Sequence, residues 1–83
     1  RDPSTRMVLA IAYHVRKEGE SVPGGVRLPM PLGAIAREVA ATDAEIEDAL
    51  RRLRRLRLVK LTGEELVVPD PARLDDFVKF VHV

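Results

Sequence analysis

The chain contains no cysteine, which excludes a disulfide-stapled scaffold, a thiolate zinc site and a cysteine nucleophile. Its two histidines, His14 and His82, stand near opposite ends of the sequence, so neither a metal centre nor a bound cofactor is expected. Long apolar runs are missing too. The longest, Met7 to Tyr13, falls far short of the roughly 20 residues that span a bilayer. Arg1-Asp2-Pro3 does not open a secretory pattern of basic and then apolar residues, so no leader is expected. What is present is ordinary globular usage: 83 residues, 46% hydrophobic and 33% charged. That length allows one small domain, burying roughly 60–65% of its unfolded surface. The expectation is a single cytoplasmic module, residues 1–83, taken from a longer protein and not associated with a membrane.

Net charge is +1, from 14 basic and 13 acidic residues, which by itself does not point to nucleic acid. The distribution says more. Five arginines fall within 51–57, and four acids (Asp43, Glu45, Glu47, Asp48) stand just upstream. This polarity within one segment is the most informative electrostatic feature of the chain.

Asp2-Pro3 reads as a helix opening, Asp2 as cap and Pro3 at the first helical position, where its missing N–H costs nothing. Met7, Val8, Ile11, Ala12 and Val15 then keep helical spacing, and Arg16, Lys17 and Gly19 end the segment, predicting a helix over 3–18. Pro23-Gly24-Gly25, Pro29 and Pro31 punctuate the next stretch, leaving Val26-Arg27-Leu28 as a short strand. Pro31 begins a second helix through Leu32, Ile35, Ala36 and Val39, ending near Ala40 or Ala41. Thr42 with Glu45 makes a capping-box pattern. It starts a third helix, over 42–56, with Ile46, Ala49, Leu50, Leu53 and Leu56 on one stripe. Acids in the first turns and arginines in the last suit the helix macrodipole, and Glu47–Arg51 and Asp48–Arg52 are spaced for i,i+4 pairing. Residues 58–61 and 65–68 read as a hairpin turning at Gly63. Asp70-Pro71 opens a last helix.

Helix, strand, helix, short link, helix, hairpin is the order of a winged helix-turn-helix. The expected fold is therefore α+β, mostly α, with a short three-stranded sheet. The link Ala40-Ala41-Thr42 favours a steep helix crossing, and the hairpin 58–68 would lie beside the third helix as a wing. The residues of one broad family keep the same order. Val26-Arg27-Leu28-Pro29-Met30, Gly33-x-Ile35-Ala36, Thr42-x-x-x-Ile46 and Leu50-x-x-Leu53-x-x-x-x-Leu58-Val59 together resemble the C-terminal DNA-binding domain of the cyclic-AMP receptor and fumarate-nitrate regulator (Crp/Fnr) family of bacterial transcription factors. Leu66-Val67-Val68 and Asp70-Pro71-x-x-Leu74 extend the likeness to residues 4–76. The resemblance implies a homodimer formed through an N-terminal effector-sensing region outside these residues, with the third helix in the major groove of double-stranded DNA. Carried onto this chain, the contacts fall on Thr42, Asp43, Ala44, Glu47 and Asp48, with Arg51, Arg52 and Lys60 near phosphates.

The departures from that family are chemical. Where its recognition helix carries an arginine, glutamate or serine that reads bases, followed by a further arginine, this chain has Asp43, Ala44, Glu47 and Asp48. Its wing turn is Thr62-Gly63-Glu64, followed by Glu65. An acid can accept from cytosine N4, but duplex affinity rests largely on neutralising phosphates. A second reading therefore stands beside the first: a winged helix that contacts a protein through its acidic helix face. The arginines at 51–57 are either a phosphate patch or the solvated, dipole-complementing end of a helix. Enzymatic chemistry is not expected. No hydroxyl has histidine and carboxylate company, and Pro23-Gly24-Gly25 lacks the context and lysine of a phosphate loop. His14 is expected at the edge of the core, Met30 as core filler, and Phe77 and Phe80 as core or as contacts to a further segment.

Overall fold

The computed structural model describes residues 3–82. Four helices, α1 (Pro3–Glu18), α2 (Leu32–Val39), α3 (Asp43–Arg55) and α4 (Pro71–His82), enclose the core with four short strands. The strands are β1 (Glu20–Val22), β2 (Gly25–Arg27), β3 (Lys60–Thr62) and β4 (Glu65–Val68). They form one antiparallel sheet in the order β1-β2-β4-β3.

Helix α1 is the hub. Met7, Val8, Ile11, Ala12 and Val15 are all buried, a stripe that helical periodicity brings onto one side. The helix packs against α2, α3 and α4. Arg16 and Lys17 lie in its last turn, and the Gly19 N–H closes onto the Val15 carbonyl at 3.0 Å. Ile35 and Ala36 of α2, Ala49 and Leu53 of α3, Leu66 and Val68 of β4, and Leu74 of α4 complete the core. Each fully buried aliphatic side chain of this kind contributes about 1.5–3 kcal/mol.

The sheet has four strands rather than the three expected. The additional one is β1, paired with β2 through Glu20↔Arg27, Ser21↔Val26 and Val22↔Gly25. Neither Glu20 nor Ser21 favours a strand on its own. Turn chemistry makes it: Pro23 followed by Gly24 at φ 98° has the residue pattern of a type II turn, which needs a positive φ at its third position. The Arg27 guanidinium then pairs across the strands with the Glu20 carboxylate. The second departure is at the wing. Leu58 and Val59 are buried and serve as the connection from α3, so the hairpin starts at Lys60 rather than at residue 58. Its turn at Gly63, φ 64°, is where it was expected.

The helix ends agree closely. Pro31 precedes α2 as its N-cap and makes no side-chain cap bond. Asp70 Oδ1 accepts from the Ala72 and Arg73 N–H groups at 3.1 and 3.4 Å and opens α4. The cap expected at Asp2 lies outside the described residues. Met30 and Phe77 pack half-buried on the core, whereas Phe80 is exposed.

Candidate nucleic-acid interface

The site is built around α3 and the connections at its two ends. At its start the Glu45 N–H donates to Thr42 Oγ1 (3.2 Å) and the Thr42 N–H donates to Glu45 Oε1 (2.7 Å), completing the capping box. Two backbone donors that the helix itself cannot satisfy are thus paired. The preceding link is equally defined. The Ala41 N–H reaches the Ala36 carbonyl at 2.9 Å and the Ala40 N–H the Arg37 carbonyl at 3.3 Å. Ala40 takes the left-handed conformation, φ 54° and ψ 42°. This reversal sets the crossing of α2 and α3.

The far end repeats the device. The Leu58 N–H donates to the Leu53 carbonyl at 2.9 Å and the Arg57 N–H to the Arg54 carbonyl at 3.0 Å. That is the paired-bond helix stop in which glycine normally holds the left-handed position. Here the position is held by Arg57, at φ 58°. The stop turns the chain into the buried Leu58-Val59 pair and then into the wing.

Between these ends, Ala49 and Leu53 anchor the inner face in the core, with Ile46 and Leu50 packed beside them. The residues expected to meet DNA differ in exposure. Thr42, Asp43, Ala44, Glu47 and Arg51 are exposed or partly exposed along α3, Asp48 is half-buried, and Lys60 is exposed at the start of β3. Arg51 donates to Asp48 Oδ1 at 3.2 Å, an i,i+3 pair in place of the Glu47–Arg51 pair expected. Arg52 turns toward α1, where its Nη1 donates to Ser4 Oγ (3.1 Å) and Thr5 Oγ1 (3.3 Å). Both hydroxyl residues are buried, so the guanidinium ties α3 to α1.

Three further arginines of the 51–57 cluster, read from the sequence as either a phosphate patch or a solvated helix end, belong to this surface. Arg54 and Arg55 line a shallow depression with Glu47, Leu50 and Arg51. Arg54 also borders a second groove with Arg57 and Lys60 and so stands between the two depressions. The phase was readable: residues 47, 51 and 54 are spaced by four and three and share a helix face. The place of Arg57, just past the end of the helix, was not.

Elsewhere the wing carries acid. Glu64 and Glu65 are exposed, and Glu65 Oε1 lies 3.7 Å from Arg27 Nη1. His14, expected at the edge of the core, is buried. Its Nε2 sits 2.9 Å from Glu38 Oε1 on α2, and its Nδ1 lies 3.7 Å from Glu18 Oε2. This contact braces α1 against α2. Among the described residues no cluster of histidine, aspartate and glutamate is arranged to hold a metal ion, and no helix is long and apolar enough to cross a membrane.

Three helices with a tight reversal between the second and third, followed by an antiparallel hairpin, define a winged helix-turn-helix. No family model matches the sequence, and no curated protein matches it. Solved structures do. The chain is similar to the CO-dependent transcription factor CooA from Carboxydothermus hydrogenoformans in its imidazole-bound form, with TM-score 0.73 and 19% identity over 93% of this chain. It is similar also to reduced CprK without ligand, with TM-score 0.71 and 17% identity over 90% of this chain. For oxidised CprK in complex with o-chlorophenolacetic acid the values are 0.73 and 16% over 94%. CooA and CprK are regulators of the Crp/Fnr family that the sequence resembles, and the likeness establishes the fold. The chain spans 34–37% of the length of those solved chains.

Proposed function

We propose that this chain is the DNA-binding domain of a transcription regulator, with α3 approaching the major groove of a duplex and the hairpin β3–β4 flanking it as a wing. One observation carries the reading. The outer face of α3 is exposed along its length and leads, through Arg51, Arg54 and Arg55, to the foot of the wing. A helix of 13 residues is about 20 Å long, enough to lie in a groove about 12 Å wide and contact both of its walls. In this reading Thr42, Asp43, Ala44, Glu47 and Asp48 face base edges or the near phosphates. Arg51 and Lys60 meet the backbone, and Arg52 holds α3 at its angle to α1. The longer protein implied is a homodimer whose preceding region senses an effector and sets the spacing of two such domains.

Fluorescence anisotropy of a labelled duplex of arbitrary sequence tests this, titrated with the 83-residue chain at several salt concentrations between about 50 and 200 mM. Non-specific affinity of this electrostatic kind falls linearly on a log–log plot against salt, with a slope of about −0.9 per phosphate contacted. Absence of binding at about 50 mM salt refutes the reading. It would favour the second one, a winged helix that docks on a basic protein surface. That alternative draws on Asp43, Glu47 and the wing residues Glu64 and Glu65, all of which are exposed acids.

A further inference from the structure

We infer that the groove between the end of α3, the β1–β2 turn and the root of the wing is a backbone-phosphate site, and that it draws the duplex toward the C-terminal half of α3. This rests on the DNA-binding reading and departs from the docking that the resemblance implies, in which the first turns of the helix carry the contacts. The groove is bordered by Arg54, Arg57 and Lys60 together with Gly24, Val59, Leu61 and Pro69.

The first support is the engagement of the cations. Arg52 is held by Ser4 and Thr5, Arg27 pairs with Glu20 and Glu65, and Arg51 shares its charge with Asp48 in an exposed pair. Among the described residues, Arg54, Arg57 and Lys60 have no carboxylate partner, as is true also of Arg55 and of cations elsewhere on the surface, and it is these three that border the one groove. Three such side chains bordering one open groove sum their attraction for an anion.

The second support is backbone strain. Arg57 occupies a left-handed position that costs a residue with a Cβ about 1 kcal/mol and costs glycine almost nothing. Nothing in the helix stop itself requires a side chain there, because both of its bonds are made by backbone groups. Ala40 holds the equivalent position at the α2 stop with only a methyl group, whereas at Arg57 the strained position carries a long cationic side chain, which points to a use for it. The side chain borders the groove.

The third support is repulsion at the other end. Asp43 is exposed in the first turn of α3 and Glu47 one turn on, and a duplex carries one phosphate charge per roughly 1.7 Å of axis. From Asp43 to Arg54 the helix advances about 16 Å, beyond a Debye length of about 8–10 Å at ordinary salt. A phosphate in the groove is therefore largely screened from the acids of the first turn.

The test is the same anisotropy titration at about 50–200 mM salt, with urea denaturation measured on every variant. Arg54→Ala, Arg57→Gly and Lys60→Ala are each expected to weaken binding to unrelated duplexes equally, by about three- to tenfold, and to reduce the salt slope by about one. Arg57→Gly is expected to raise the urea midpoint while it weakens binding, two changes of opposite sign that a purely structural role would not produce. Glu47→Gln is expected to tighten binding. Arg6→Ala, on the outer side of α1, serves as the control and leaves both readouts unchanged. If the wild-type chain binds and the three groove variants bind equally well, the groove assignment is overturned while the DNA-binding reading stands. If the wild-type chain shows no salt-dependent binding, both fall.

Discussion

Replacing Arg52 by alanine separates two roles that one arginine at this point of the sequence could have. Its guanidinium donates to Ser4 Oγ and Thr5 Oγ1 at 3.1 and 3.3 Å, and the residue is half-buried between α1 and α3. A hydrogen bond from a charged donor contributes about 1.5–3 kcal/mol when buried. Partial exposure lowers each bond here, and the aliphatic stem adds some packing. A total of about 2 kcal/mol is the reasonable figure. For a chain of this size the urea dependence is about 1 kcal/mol per M, so the midpoint should fall by about 2 M. The corresponding loss in Tm is about 10 °C, since 1 kcal/mol shifts a domain this small by about 4–8 °C. A double-mutant cycle with Thr5→Val should return a coupling energy of about 1 kcal/mol. Duplex affinity measured on the folded protein should change little, with the salt slope intact. The opposite pattern, an unmoved midpoint with a slope smaller by one, would place the guanidinium on a phosphate and refute the tie.

Three other expectations concern the frame around α3. Thr42→Ala removes the hydroxyl half of the capping box and should cost about 1 kcal/mol, with Thr42→Asp restoring most of it; thermal denaturation followed by circular dichroism measures both. Ala40→Gly relieves the left-handed strain at φ 54° and should raise stability by about 0.5 kcal/mol, the gain being partly offset by the freedom glycine adds to the unfolded chain; a lowered Tm would contradict it. Gly25→Ala drives a methyl group into the Val68 carbonyl and Pro69, at a backbone φ of 143°, and should destabilise by about 3 kcal/mol. Because β2 pairs with β4 at this point, hydrogen exchange in that variant should increase first in β1, β2 and the wing rather than in α1.

The helices were legible because each carried a local signal that its own backbone could satisfy. Asp70-Pro71, Thr42 with Glu45, and the apolar stripe of α1 all predicted what is seen. Strand β1 was not legible in its own residues, because neither Glu20 nor Ser21 favours a strand and the cue lies in the turn that follows them. Glu20 and Ser21 pair only after the Pro23-Gly24 turn has brought Val26 and Arg27 beside them, and the ladder continues from β2 onto β4, far along the chain. The site divides in the same way. The exposed run of α3 was given by periodicity. The inward turn of Arg52 depends on two hydroxyls of α1, and the recruitment of Arg57 depends on a left-handed residue where a glycine would ordinarily be anticipated. No spacing rule within α3 contains either fact.

The charge order of α3 links its stability to its binding behaviour. Acids at the start and arginines at the end favour the helix through its macrodipole, by about 0.3–1 kcal/mol for each well-placed charge. A helix start is also the natural seat for a phosphate, since its backbone N–H groups point outward. In this chain the seat is occupied from within: the Glu45 carboxylate accepts the Thr42 N–H, Thr42 Oγ1 accepts that of Glu45, and Asp43 stands exposed beside them. The arrangement that secures the helix therefore occupies two of the donors of the usual anion site, puts a carboxylate beside it, and gathers positive charge at the opposite end. On the phosphate-groove proposal a duplex is held from the basic end of the helix, and specificity at the acidic end then depends on what those carboxylates accept. Cytosine N4 is the base-edge donor in the major groove that a carboxylate matches best.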